Sequence, residues 1–373
     1  MKIGVPKETK DRENRVALTP DVVKDLVKKG YNVIIESNAG IGAYYSDEAY
    51  TQAGAELSDK KAVYGNADVV LKVNAPSADE LALMKKGAIL ISFMWAATNP
   101  DLVKACAQAG ISAFSMDAVP RISRAQKMDA LSSQANLAGY KSVLMAASAI
   151  GKILPMMTTA AGTIRPSKVV IFGAGVAGLQ AIATAKRLGA VVEVSDIRPE
   201  TKEQVESLGG KFIEVKSDES IKIEGGYVKG VSEDFLKKQQ EVVASKVKEA
   251  DIVITTALIP GKKAPLLVTE EMVKSMRQGS VILDMAVEQG GNVVGSELNK
   301  TVQKHGVTII GESNIPSLLP MNASDLYAKN IATLLLHLSD KDQFKWEMEE
   351  EITKGSLIVH NGTAVHPSVL PKA

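Results

Sequence analysis

One cysteine, Cys106, is present in 373 residues. A single thiol closes no internal disulfide and fits a reducing compartment. Aromatic residues make up only 4% of the chain, which disfavours the stacking platforms that bind single-stranded nucleic acid. Neither sign of charge dominates: 44 Lys and Arg oppose 43 Asp and Glu, for a formal net charge of +1. No basic stripe or acidic tail is visible, so nucleic acid is not an expected partner. Long apolar runs are missing too. The longest apolar region, residues 143–162, is broken by Lys152 and Pro155. No segment reaches the roughly 18 apolar residues of a membrane span, and the start, MKIGVPKETK, has no apolar signal core. The expectation is a soluble, cytoplasmic chain. The four histidines, His305, His337, His360 and His366, stand in no metal-ligand spacing, so no metal is expected. Neither a G-x-S-x-G elbow nor a Walker A Gly-Lys-Ser/Thr occurs.

What is present is a glycine fingerprint with its context intact. Residues 169–196 read VVIFGAGVAGLQAIATAKRLGAVVEVSD. A strand-like apolar run leads into Gly173-x-Gly175-x-x-Gly178, a helical pattern ends at Gly189, and a second strand, Val191–Ser195, ends at Asp196. This is the βαβ dinucleotide pattern. The first glycine permits the tight turn, the second lets the backbone approach a pyrophosphate, and the third lets helix pack on strand. The pyrophosphate then sits at the positive end of the helix that follows the glycines. Asp196 suits the two ribose hydroxyls of NAD and would repel a 2′-phosphate; Arg198, two residues on past Ile197, argues the other way.

At this length two domains are expected. Before the fingerprint, strand patterns at residues 2–5, 32–36, 67–73, 88–93 and 112–118 alternate with helical ones at 20–29, 47–55, 77–86 and 100–109. Such alternation implies a parallel sheet with right-handed crossovers. Residues 131–153 read as one linking helix, with Leu137, Tyr140, Leu144 and Ala147 on one face. Strands at 169–172, 191–195, 210–215, 251–256, 280–285 and 307–310 bring the second sheet to about six. A helix at 323–338 and a strand at 355–360 open no third domain. The expected fold is therefore α/β, with two Rossmann-like doubly wound parallel-sheet domains joined by long helices. The expected domains are residues 1–130 plus 320–373, and 140–315.

Two polar stretches each carry two readings. Residues 120–129, PRISRAQKMD, follow a buried strand, so they lie at the sheet edge where α/β proteins bind ligands; a charged surface loop is the other reading. Residues 216–231 lack periodicity and hold a Gly-Gly pair beside Tyr227; they read as a lid or as an ordinary solvent loop. Arg15, in the charged loop after the first strand, reads equally as an anion holder or a solvated arginine.

Three runs, PRISRAQKMDALSSQANLAGY, PMMTTAAGTIRPSKVVIFGAGVAGLQAIATAKRLGAVV and TTALIPGKKAP, resemble the NAD-binding alpha subunit of proton-translocating NAD(P) transhydrogenase. The similarity extends from KIGVPKE to VHPS. It implies NAD(H) on this chain and NADP(H) on a partner beta subunit. It also implies direct, Re/Si-specific hydride transfer coupled to proton passage through a membrane-spanning subunit, a homodimer, and a cytoplasmic chain peripheral to the inner membrane. The resemblance places Arg121, Gln126, Asp129 and Ser132 at the reacting end, with Gln126 towards the NADP-carrying partner. It adds Ile122, Ser123, Lys127 and Met128 from the same loop. From the fingerprint domain it takes Gly173, Gly175, Val176, Gly178, Asp196, Ile197, Arg198, Gly226, Tyr227, Gln239 and Leu258. An Arg–Asp pair suits a carboxamide, which needs a donor and an acceptor.

Alanine dehydrogenase looks similar in layout and is the alternative. It is implied to hold pyruvate with an Arg and a Lys, matched here by Arg15 and Lys72, and to protonate it with a His. Trp95 occupies that last position, and an indole N–H is no acid at neutral pH. A non-enzymatic NAD-sensing subunit would need the fingerprint but not the polar loop.

Overall fold

Short continuous apolar runs become buried parallel strands, because only a strand covered on both faces can be apolar throughout. The computed structural model describes residues 1–214, 223–224, 227–228, 233–258 and 262–370, the side chains of 223–224, 227–228 and 233–236 excepted. The first six strands are β1 (Lys2–Val5), β2 (Asn32–Glu36), β3 (Glu56–Ser58), β4 (Val69–Leu71), β5 (Ile89–Ser92) and β6 (Ser112–Ser115). All pair in parallel, in the order β6-β5-β4-β1-β2-β3.

Next come a two-stranded ribbon, β7 (Met157–Thr159) and β8 (Gly162–Ile164), then β9 (Lys168–Phe172), β10 (Val191–Ser195) and β11 (Lys211–Phe212). A second ribbon joins β12 (Ile223–Glu224) to β13 (Tyr227–Val228). The rest are β14 (Ile252–Thr255), β15 (Val281–Asp284), β16 (Lys300–Lys304) and β17 (Val307–Gly311). The second sheet runs β11-β10-β9-β14-β15-β17-β16. Both sheets thus contain the doubly wound order, with the switch point beside β1 in one and β9 in the other. Two tail strands extend the first sheet: β18 (Leu357–His360) pairs antiparallel with β6, and β19 (Thr363–Ala364) antiparallel with β18.

The chain forms two compact units, Met1–Gln134 with Pro316–Ala373, and Ala135–Ile315. In each, alternate strand residues feed cores on opposite sheet faces. Val69, Leu71, Ile89 and Ile91 join one core with the helix Pro320–Leu338, while Val70 and Leu90 join another. In the second unit Val169, Ile171, Ile252 and Ile254 face one way and Val170, Phe172 and Val253 the other.

The expected linking helix is Ala130–Ala149, and its buried face differs from the one the spacing suggests. Ala138, Val143 and Ala146 enter the core, whereas Tyr140 is exposed. The reason is steric. Gly139 lies so near the fingerprint helix that an added Cβ would sit 2.1 Å from the Ala177 carbonyl oxygen, so only the small-residue face can be turned inward. The last part of the apolar region 143–162 forms β7 and the start of β8 rather than more helix. Strand β16, KTVQK, has no counterpart among the expected strands. It is an edge strand, mostly exposed, where lysines guard the open backbone.

Candidate functional site

The fingerprint turn connects β9 to the helix Val176–Arg187. Gly173 has φ +98, and a Cβ there would meet Thr256 Oγ1 at 2.4 Å. A Cβ on Gly178 would meet the Gly173 carbonyl oxygen at 1.8 Å. Among the described residues, and its chain neighbours aside, nothing lies within 4 Å of the corresponding point on Gly175, which suits the close approach of a pyrophosphate. Val176 is exposed at the helix start. Thr256 Oγ1 donates to the carbonyls of Phe172 and Gly173, pinning the turn to the end of β14. Gly178→Ala is expected to cost more than about 3 kcal/mol, because a backbone collision cannot relax like a side-chain one; a melting curve measures it.

Asp196 closes β10 with its side chain 5% exposed. Its Oδ2 accepts from Ala174 N–H at 2.7 Å and from Arg198 Nη2 at 2.9 Å. Its Oδ1 accepts from Arg198 N–H and Nε at 2.9 and 3.0 Å. Burial pushes this carboxyl up, but these bonds and the Arg198 charge outweigh burial and hold it below the ordinary value. All four acceptor positions of the carboxylate are therefore engaged, and ribose hydroxyls reach it only by displacing a donor. Ile197 lies between the pair, half-buried. Gln239 Nε2 donates to Ser195 Oγ at 3.3 Å on the same strand end. Leu258 is exposed after β14. Gly226 and most of the stretch 216–231 lie outside the described residues; Tyr227 is described only as backbone in β13.

In the other unit, Ser123–Met128 forms a short 3₁₀ helix. Arg121, Ser123, Gln126 and Lys127 are exposed, and Ile122 is half-buried. Met128, expected at the cofactor, instead has its side chain in the core at 4% exposure, with Ala125. The 3₁₀ turn forces this, since residues three apart share a face. Asn330 Nδ2 donates to the Lys127 carbonyl from beneath, and Arg124 pairs with Glu350 and Glu351. Asp129 caps the next helix: Oδ1 accepts Ser132 N–H at 2.9 Å and Oδ2 accepts Ser132 Oγ at 2.6 Å. The structure thus joins Asp129 to Ser132. Arg121 makes no ion pair or side-chain hydrogen bond among the described residues and stays available to a ligand.

Arg15 is not a solvated arginine. It is buried, its guanidinium held by both Glu13 oxygens at 2.7 and 2.6 Å and by Gln134 Oε1 at 2.9 Å. Lys72, 1% exposed, lies 3.5 Å from both Glu8 and Glu80. A cavity of about 250 Å³ beside Arg15 is lined by Lys7, Glu8, Glu13, Asn14 and Ile41. Burial pushes the Glu13 carboxyl up, but Arg15 and Asn74 more than reverse this and hold it at about 2. A depressed carboxyl stabilises the fold above its ordinary value, 4.5, and that stability is lost as pH falls towards about 2. Glu13→Gln is therefore expected to melt lower at neutral pH, because it removes the carboxylate held against the Arg15 guanidinium, yet to lose less stability between pH about 4.5 and 2; thermal melts across that window test it. Trp95 follows β5 in a left-handed conformation, φ +50, 47% exposed and stacked on Phe93 at 5.8 Å. Asp117 Oδ1 accepts from the N–H groups of Met94 and Trp95.

Two doubly wound sheets, one with a complete dinucleotide fingerprint, define a dinucleotide-binding scaffold. The chain belongs to the alanine dehydrogenase/PNT family: the model described as "Alanine dehydrogenase/PNT, N-terminal domain" matches residues 4–138, and the C-terminal domain model matches residues 142–367. It is 51% identical over 380 residues to the first segment of the NAD(P) transhydrogenase subunit alpha of Rhodospirillum rubrum, covering 99% of each chain. It is 32% identical to the alanine dehydrogenase of Bacillus subtilis, covering 99% of this chain and 94% of that one. A transhydrogenase crystal structure from Sinorhizobium meliloti superposes with a TM-score of 0.89 at 45% identity, covering 98% of this chain and 100% of that one. The similarity to transhydrogenase alpha subunits supports the role of a transhydrogenase subunit. Among the described residues, no helix is long and apolar enough to cross a membrane, and no His, Cys, Asp and Glu cluster could hold a metal.

Proposed function

We propose that this chain binds NAD(H) and presents it for direct hydride exchange with NADP(H) carried by a partner beta subunit, coupled to proton passage through a membrane-spanning subunit. The observation that carries this reading is the fingerprint turn, with Asp196 following the strand after it and its side chain turned back to Ala174 in that turn. NADH, when bound, supplies the hydride. The Gly175 backbone and the helix start at Val176 hold the pyrophosphate. Asp196 takes the adenosine ribose, with Arg198 and Ile197 beside it and Gln239 and Leu258 completing the crevice. Arg121 and Asp129, with Ser132, orient the carboxamide, while Gln126 faces the partner nucleotide. Gly226 and Tyr227 act as a lid.

A homodimer fits the exposed ribbon β7–β8. Every residue from 155 to 165 is exposed, including Met156, Met157 and Ile164. A two-stranded ribbon is marginal by itself, and a second copy of the chain is the proposed cover. The complex places this chain at the cytoplasmic face of the membrane.

Alanine dehydrogenase chemistry is disfavoured by Trp95 and by the internal carboxylates already on Arg15 and Lys72. The purified chain with NADH, pyruvate and ammonium is expected to show no loss of nicotinamide absorbance. Adding the NADP-binding partner and an NADP analogue is expected to start transfer. Rapid oxidation without the partner would instead establish an amino-acid dehydrogenase.

A further inference from the structure

Behind the crevice lies a buried polar network that the reading above does not use. Asp284, the last residue of β15, and Asn292 are both fully buried. Asp284 Oδ1 accepts from Thr255 Oγ1 at 3.1 Å and from Ala286 N–H at 2.9 Å. Both its oxygens accept the Asn292 N–H, at 3.2 and 3.0 Å. The chain reaches this position through Gly290 and Gly291, φ +93 and +80. A Cβ on Gly291 would stand 2.7 Å from Asp284 Oδ2.

The Asn292 carboxamide then turns outward to the end of β14. Its Oδ1 accepts from Ala257 N–H at 3.2 Å, and its Nδ2 donates to the carbonyls of Ala257 at 2.9 Å and Pro265 at 2.7 Å. The last register pair between β14 and β15 is Thr255 with Asp284. Ala257 has left the sheet, and one side chain replaces the missing strand for both of its backbone groups. Asp196 ends β10 on one side of β9, and Ala257 follows β14 on the other. A dinucleotide with its pyrophosphate on the turn between them lays its two halves across these two sides.

We infer that Asn292 is a positioning residue that holds the Ala257–Leu258 backbone for the nicotinamide half of the bound dinucleotide. The inference rests on the NAD(H) reading above. Asn292 touches no cofactor itself; it acts through Ala257 and Leu258.

Titrations of the full chain with NADH and with ADP test it, because ADP carries only the adenosine and pyrophosphate part. Asn292→Ala is expected to weaken NADH about tenfold, the loss of one or two hydrogen bonds' worth of order, and ADP by less than about twofold. Amide exchange at Ala257 is expected to speed up while residues 252–255 and 281–284 keep their protection. Asn292→Ser, with a hydroxyl that keeps one partner, is expected to show a smaller loss in the same ratio. Equal weakening of NADH and ADP, unchanged NADH binding, or loss of protection across both strands overturns the inference. So does failure of both variants to fold, which would make Asn292 a folding residue. A wild-type chain that binds ADP but not NADH overturns the NAD(H) reading itself.

Discussion

Replacing Asp129 by Asn is expected to slow hydride exchange with partner-bound NADP roughly 100-fold, the effect of misplacing one polar group at a reacting centre. NADH affinity is expected to stay within about threefold, because adenosine and pyrophosphate are held elsewhere. The separation is possible because Asp129 has a structural duty that Asn can perform. The Asn Oδ1 still accepts the Ser132 N–H, and the Ser132 hydroxyl turns to accept from the new amide. Asp129→Ala removes the cap as well, at about 1 kcal/mol. Comparing the two variants by melting curve and by single-turnover transfer separates the cap from the chemistry. Arg121→Ala is expected to follow Asp129→Asn in transfer and to leave the melting curve alone, since Arg121 has no side-chain partner among the described residues. A full transfer rate in Asp129→Asn would remove the loop from the reaction.

Asp196→Ala is expected to weaken NADH about 30-fold, the range for hydrogen bonds to a charged group, and to weaken NADPH far less. The intact chain is expected to favour NADH strongly. Its basis is the buried carboxylate, which a 2′-phosphate meets as a like charge. In the variant the Arg198 guanidinium no longer spends two bonds on Asp196, and a guanidinium that turns to a phosphate makes strong paired bonds. The preference is therefore expected to shrink or reverse. Parallel titrations with the two reduced nucleotides measure it; an equal fall for both would show that Asp196 shapes the turn through Ala174 rather than choosing the nucleotide.

These two residues also mark how far the sequence could be read. Their presence at a strand end and before a helix is local information. Their occupancy is not: Asp196 is filled by Ala174, 22 residues away, and by Arg198. Beside the carboxamide role proposed for Arg121 and Asp129, Asp129 also caps the helix through Ser132. Met128 looked like part of a ligand loop but packs into the core. A polar sequence does not reveal a 3₁₀ turn, which sets every third residue on one face.

By itself the sequence determined the α/β class and the dinucleotide turn. Those rest on apolar runs of strand length, helical spacing and glycines at fixed offsets, all written within about 30 residues of one another. Family resemblance, confirmed across nearly the whole length, added the class of reaction. Only the tertiary structure decided which polar groups are already spoken for. Arg15 meets Gln134 from 119 residues away, Lys72 meets Glu8, and Asn292 holds Ala257 across 35 residues. The linking helix turned its small residues inward because Gly139 must pass the Ala177 carbonyl, which no periodicity records. Such partners are chosen by the cost of burying an unpaired polar group or charge. That cost arises only when distant segments are packed together, so it leaves no trace in local sequence.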